Sequence, residues 1–360
     1  MTAASPCLPF SPARSQPLDD DGPVEHLLSA PPGVLVDPSG EPRCAVLVLS
    51  GSSGRLEADR ARRLAAHGAA AAAITYFGGP GQPPGLCEVA LEAFTPVLDL
   101  LAARSEHLVV WGASKGAEAA LLLAAADERI RTVIAVAPTA YVWANTGPGA
   151  DRNERPWRSS WTRAGQPLPF LALVNGWEPS AAERGADGVH GVDGVAVRGW
   201  YEASLAAAGG EQVRAASIPV EQIHGQVVLA AGGDDRVWPS TRFADDITQR
   251  RASHDLTTMV LTEQNAGHRV VLPGEAAAGG VVGCCGAAAQ RLTRASARVC
   301  GMPRARCCGS AHRDPRGDLR GHLRWYLRDR ARPRASALSA LSALEPAACR
   351  GTPTIGRLPG

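Results

Sequence analysis

The chain contains a single lysine. Its 37 basic residues are otherwise all arginine, and against that bias Lys115 stands alone. Aromatic residues make up only 5% of the 360. No unbroken apolar run approaches the roughly 18 residues that a membrane span needs, so no such helix is expected. The first twenty residues have no apolar core of the secretory kind. Pro6, Pro9, Pro12 and Pro17 interrupt them, and three aspartates follow from Asp19. Residues 1–32 therefore read as a flexible, non-secretory leader, and a cytoplasmic location is expected. Cysteine is rare where a core is expected: Cys7, Cys44 and Cys87 are the only three before residue 276.

The remaining six cysteines crowd a segment of different character. Residues 1–275 carry 21 arginines and one lysine against 31 acidic residues, a net −9; residues 276–360 carry 15 arginines against four acidic residues, a net +11. Three readings of this tail compete. The adjacent pairs Cys284-Cys285 and Cys307-Cys308 lack the two-residue gap that lets both thiolates reach one zinc, which argues against a metal centre. Arg320, Arg324 and Arg328 beside Leu319, Leu323 and Leu327 have the spacing of a basic amphipathic helix for nucleic acid or an anionic surface. The repetitive Ala335–Leu344 stretch favours the third reading, a low-complexity Arg- and Cys-rich tail of out-of-frame character. Neither nucleic acid nor membrane is then expected as a partner.

Before the tail, strand and helix signals alternate. Apolar runs at Cys44–Leu49, Ala71–Phe77, Leu108–Trp111, Thr132–Val136, Val227–Ala231 and Thr257–Leu261 read as strands. Helical stretches separate them at Leu56–His67, at Cys87–Ala103 with a disturbance at Pro96, at Lys115–Ala126 and at Ser240–Arg251. Repeated units of this kind predict an α/β fold, a doubly wound and mostly parallel sheet over residues 33–275. Regularity lapses over residues 145–210, which lie among five tryptophans. That stretch is too long for a plain loop and reads as a cap insertion.

Gly112-Ala113-Ser114-Lys115-Gly116 has the G-x-S-x-G form of a nucleophile elbow, a sharp strand-to-helix turn that lifts a serine hydroxyl above a sheet. In a chain so rich in glycine and serine the pentapeptide alone means little. Its position between an apolar strand and an Ala/Leu helix is what gives it weight. A serine alcohol is a weak nucleophile at neutral pH and needs a base, and the base needs an orienting acid. In such a sheet both follow the serine, each just after a later strand. Gly232-Gly233-Asp234-Asp235 follows one and Thr262–His268 the next. Of the nine histidines only His268 has this placement. Between the two aspartates, the spacing to Trp238-Pro239 favours Asp235 as orienter and leaves Asp234 to the turn. Oxyanion donors are expected at the backbone N–H of Lys115 and in the Ser50–Gly54 loop, at Ser52 or Ser53. The Lys115 side chain could be structural or could favour an anionic substrate.

The chain resembles the catalytic domain shared by acyl-CoA thioesterases and bile acid-CoA:amino acid N-acyltransferases, within the α/β-hydrolases. The matching pieces are the Gly-rich loop with Leu56-Glu57, Ile74–Gly78, Gly112–Glu118, Gly233–Asp235 with Trp238, and Gly267-His268. The resemblance spans about residues 33–275. It implies Ser114 as nucleophile, Asp235 as acid and His268 as base, a small-molecule acyl-CoA or ester substrate, and no metal or organic cofactor. Acyltransferase members carry cysteine as nucleophile, so the serine favours hydrolysis. General carboxylesterase or dienelactone-hydrolase-like activity is the alternative, together with acyl transfer and a catalytically damaged homologue. Two departures stand out. About forty residues precede the domain, too few for the β-sandwich of larger members, and the closing helix expected after residue 275 meets the divergent tail.

Overall fold

The structure is a computed structural model that describes residues 22–180, 183 and 196–269. The expected Arg- and Cys-rich tail and its closing helix lie outside the described residues. An eight-stranded sheet organises the chain in the order β1-β2-β4-β3-β6-β7-β10-β11. These strands are Val24–Ser29 (β1), Pro32–Asp37 (β2), Cys44–Leu49 (β3), Ala69–Ile74 (β4), Leu108–Ala113 (β6), Ile130–Val136 (β7), Gln226–Gly232 (β10) and Met259–Glu263 (β11). From β4 to β11 every neighbouring pair is parallel, while β2 runs antiparallel to both β1 and β4.

Each strand's alternation feeds two cores. On β3, Ala45, Leu47 and Leu49 enter one cluster, and Val46 and Val48 the other. A strand buried on both faces must be apolar throughout, which is why Cys44–Leu49 has no polar side. Helix α1 (Ala58–Ala66) covers one face through Ala61, Leu64 and Ala65. Helices α2 (Thr95–Ala102), α3 (Lys115–Ala124) and α6 (Ser240–Ala252) cover the other. All ten residues of α3 are buried. A helix with no polar face can only sit inside, and the Ala-Leu composition of α3 suits it to that position. The run of five alanines in β4 has low strand propensity yet is wholly buried, because small side chains let α1 and α2 approach from both sides.

Three boundaries differ from the sequence reading. The sheet begins at Val24, so β1 lies within the stretch expected as leader; Glu25 is held by Arg62 of α1, with Nε 2.6 Å from its carboxylate. The expected helix over Cys87–Ala103 is instead a short strand β5 (Val89–Ala90), one 3-10 turn and then α2. Pro96 occupies the first turn of α2, where its missing N–H costs nothing, so it opens a helix and disturbs none. The expected cap is in part core. Trp161 within it and Trp143 just before it are fully buried, and strand β8 (Trp161–Arg163) pairs with β5 and with β9 (Gln166–Pro167) in a small second sheet. Residues 181, 182 and 184–195 of that stretch lie outside the described residues. The chain resumes with α4 (Arg198–Ala207) and α5 (Gly210–Ala215). No helix among the described residues is long and apolar enough to cross a membrane.

Candidate active site

Ser114 stands between β6 and α3 with φ 56° and ψ −121°, a conformation that a side-chain-bearing residue adopts only when its surroundings impose it. Two glycines make the turn possible. A Cβ on Gly112 would lie 2.0 Å from the carbonyl oxygen of Gly116, and one on Gly116 would lie 2.3 Å from that of Ser50. Both contacts are to backbone, which cannot swing aside. Gly112→Ala is therefore expected to cost about 3 kcal/mol or more, lowering the melting midpoint by roughly 6–12 °C for a domain of this size. A thermal melt of that variant beside an exposed Gly40→Ala control checks it.

The Gly-rich loop after β3 passes directly over the serine. A Cβ on Gly51 would sit 3.0 Å from Ser114 Cβ and 3.5 Å from its Oγ. Of the two serines expected to supply an oxyanion donor, Ser52 is half-buried next to Gly51, and Ser53 is exposed at the turn. The loop is held from behind by Tyr76, whose buried hydroxyl donates to the Ser50 carbonyl at 2.5 Å.

Asp235 and His268 are brought together. The Nδ1–H of His268 donates to Asp235 Oδ2 at 2.8 Å, and this side chain of Asp235 is fully buried. Its other oxygen, Oδ1, accepts the N–H groups of Val237 (2.9 Å) and Trp238 (3.2 Å), while the Ser240 hydroxyl donates to Oδ2. Every hydrogen-bond partner of this carboxylate among the described residues is a donor. Donation from Nδ1 leaves Nε2 of His268 as the nitrogen with a free lone pair, the form required of a base. The Trp238 ring packs edge-on to the imidazole at 5.7 Å between centroids. Asp234, by contrast, is half-exposed and pairs with Arg236 at 3.3 Å. The two aspartates thus differ in their contacts, and Asp235 is the one that meets His268.

Hydrogen bonds tie the serine, acid and histidine loops into one edge of the sheet. Ser114 N–H donates to Val136, the next residue Ala137 donates to Ala230, and Trp238 Nε1 donates back to the Ala137 carbonyl. Asp234 N–H in turn donates to Ala266, two residues before the histidine. Among the described residues no hydrogen bond joins Ser114 Oγ to the imidazole. In unliganded sites that contact is often long and tightens only around substrate.

Lys115 turns away from solvent. Its ammonium is enclosed and donates to Glu118 Oε2 at 2.9 Å and Ser160 Oγ at 2.8 Å. It is a structural group and cannot anchor the anionic end of a ligand. Glu118, Ser160, Ser240 and Tyr76 are the polar residues around the site that motif reading left without a role. Glu118 had a visible signal, a carboxylate three positions after the only lysine. Among the described residues no cluster of three or more His, Cys, Asp or Glu side chains could hold a metal ion.

Residues 201–275, from α4 through the histidine loop, match the family model described as BAAT / acyl-CoA thioester hydrolase C terminal. The match covers 75 of the 360 residues, and over that segment the chain is similar to this family. Similar solved structures include TT1662 from Thermus thermophilus (18% identity, 69% of this chain and 92% of that one, TM-score 0.39). Another is the dienelactone hydrolase-like promiscuous phosphotriesterase P91 from metagenomic libraries (16% identity, 78% and 96%, TM-score 0.41). A third is a dienelactone hydrolase from Klebsiella pneumoniae (15% identity, 69% and 88%, TM-score 0.37). No curated protein matches the chain. The matched segment contains Asp235 and His268, and Ser114 precedes it.

Proposed function

We propose that this hydrolase cleaves acyl-CoA thioesters through an acyl-enzyme on Ser114. The observation that carries the reading is the Asp235–His268 hydrogen bond at the same sheet edge as a serine held at φ 56°. His268 Nε2 takes the proton of Ser114 as its oxygen attacks the thioester carbonyl carbon. The oxyanion that forms is met by the N–H groups of Lys115 and Ser52, the half-buried serine being preferred over the exposed Ser53. The C–S bond then breaks, and the proton held by His268 leaves with the CoA sulfur. Water adds to the acyl-serine, gives up its proton through the same imidazole, and the free acid departs with Ser114 restored. Asp235 keeps the imidazole oriented and stabilises its charged form throughout.

The thioester preference draws its support from the family match over residues 201–275. Because the Lys115 ammonium is consumed by Glu118, it gives no support to recognition of CoA phosphates. The test is a panel of acyl-CoA thioesters and simple carboxylic esters, with free CoA, free acid and alcohol all followed, in the presence and absence of glycine. CoA and free acid released in equal amounts, with no amide when glycine is added, is the expected outcome. Ester turnover with inert thioesters would instead assign a carboxylesterase, and amide formation would assign acyl transfer.

A further inference from the structure

We infer that the buried Lys115–Glu118 pair is a positioning device for the nucleophile, clamping the first turn of α3 to the inserted segment around Trp143 and Trp161. The inference rests on Ser114 being the nucleophile.

The clamp is built from five hydrogen bonds. Lys115 Nζ donates to Glu118 Oε2 (2.9 Å), to Ser160 Oγ (2.8 Å) and to the Trp143 carbonyl (3.4 Å). Glu118 Oε1 accepts the Trp143 N–H (3.1 Å) and the Trp161 indole Nε1–H (2.8 Å). The Lys115 side chain is 2% exposed and that of Glu118 fully enclosed. Both charges are thus far from water, in the helical turn that begins at the serine. The carbonyl of Ser114 itself accepts the N–H groups of Ala117 and Glu118 at 2.8 and 3.1 Å. The same inserted segment reaches the oxyanion loop, because the Trp161 ring packs 6.0 Å from Tyr76, whose hydroxyl holds the Ser50 carbonyl.

Stability does not account for such a pair. Burial pulls the Lys115 ammonium down and pushes the Glu118 carboxyl up, in both cases against the attraction of the partner. Replacing a buried ion pair by well-packed hydrophobic residues of similar volume is often neutral or stabilising. What the pair supplies is geometry. Ser114 occupies a strained conformation that persists only when its neighbours over-determine it. The N–H expected to meet the oxyanion belongs to the very residue whose side chain is clamped. In a chain that uses arginine at every other basic position, the compact ammonium is the cation that fits inside the first turn of a wholly buried helix.

The test uses a fluorophosphonate probe on wild type, Ser160→Ala and the charge-free double variant Lys115→Met/Glu118→Gln, in which the glutamine oxygen still accepts from Trp143 and Trp161. Maximal labelling rate and half-saturating probe concentration are measured separately, beside thermal melts. Displacing a reacting group or an oxyanion donor by a fraction of an ångström to one ångström lowers rates by about 10–100-fold. We expect that loss in the maximal rate of the double variant, and about three- to five-fold in Ser160→Ala. Half-saturation should stay within about two-fold, while the unpaired glutamine N–H groups should lower the melting midpoint of the double variant by roughly 2–12 °C. If the double variant does not fold, Ser160→Ala decides. Wild-type labelling rates in folded variants overturn the inference while leaving Ser114 as nucleophile. A wild type that the probe does not label removes both.

Discussion

Ser114→Ala is expected to lower thioester or ester turnover by on the order of 10⁵–10⁶-fold while leaving the melting midpoint unchanged or higher. The size of the loss follows from the role. Without the hydroxyl no acyl-enzyme can form, and what survives is the modest help that oxyanion donors and binding give to direct attack by water. The structure adds a stability argument. Alanine at φ 56° is strained as serine is, but Ser114 Oγ makes no hydrogen bond among the described residues whose loss would destabilise the fold. Turnover and melting measured on the same preparation separate the two effects. A fall in both together would point to collapse of the elbow.

Asp235→Asn is expected to cost on the order of 10⁴-fold in kcat with the fold retained. Four donors converge on this carboxylate: the Val237 and Trp238 N–H groups, the Ser240 hydroxyl and His268 Nδ1–H. An amide can accept at only one of its two ends. If its NH2 faces His268, the imidazole turns to the tautomer with its proton on Nε2 and can no longer act as a base. If it faces Val237 and Trp238, two N–H donors lose their acceptor in a buried place. Asp234→Asn serves as the control. Its carboxylate is half-exposed and pairs with Arg236, so activity within about two-fold of wild type is expected. Steady-state kinetics on the two variants would expose an exchange of roles immediately.

Much of this arrangement was legible because strand and loop signals were local. The elbow strand is a continuous apolar run and its helix is Ala-Leu-rich, so Ser114 could be placed between them. Asp235 and His268 follow from the same rule applied to the two later strands. Three features resisted. β1 was hidden because Val24–Ser29 mixes Glu25 and His26 into the run, and its outer face is exposed, giving no buried alternation to recognise. The inserted segment reads as a cap because it lacks regular periodicity, whereas Trp161 on the short strand β8 and Trp143 just before the segment are core residues whose indole N–H groups are held by Glu118 and Thr139. The direction of the Lys115 side chain could not be read, because spacing alone does not say whether a lysine after the nucleophile faces solvent or the fold. Only the positions of Glu118, Ser160 and Trp143 decide it.

The account stands on Ser114 being activated by His268. Mass-spectrometric mapping of the fluorophosphonate adduct on native wild type and His268→Ala tests this most directly. One adduct, on Ser114, abolished by His268→Ala and by prior heat denaturation, is the predicted result. An adduct on any other serine, or Ser114 modified equally fast without the imidazole, would contradict it.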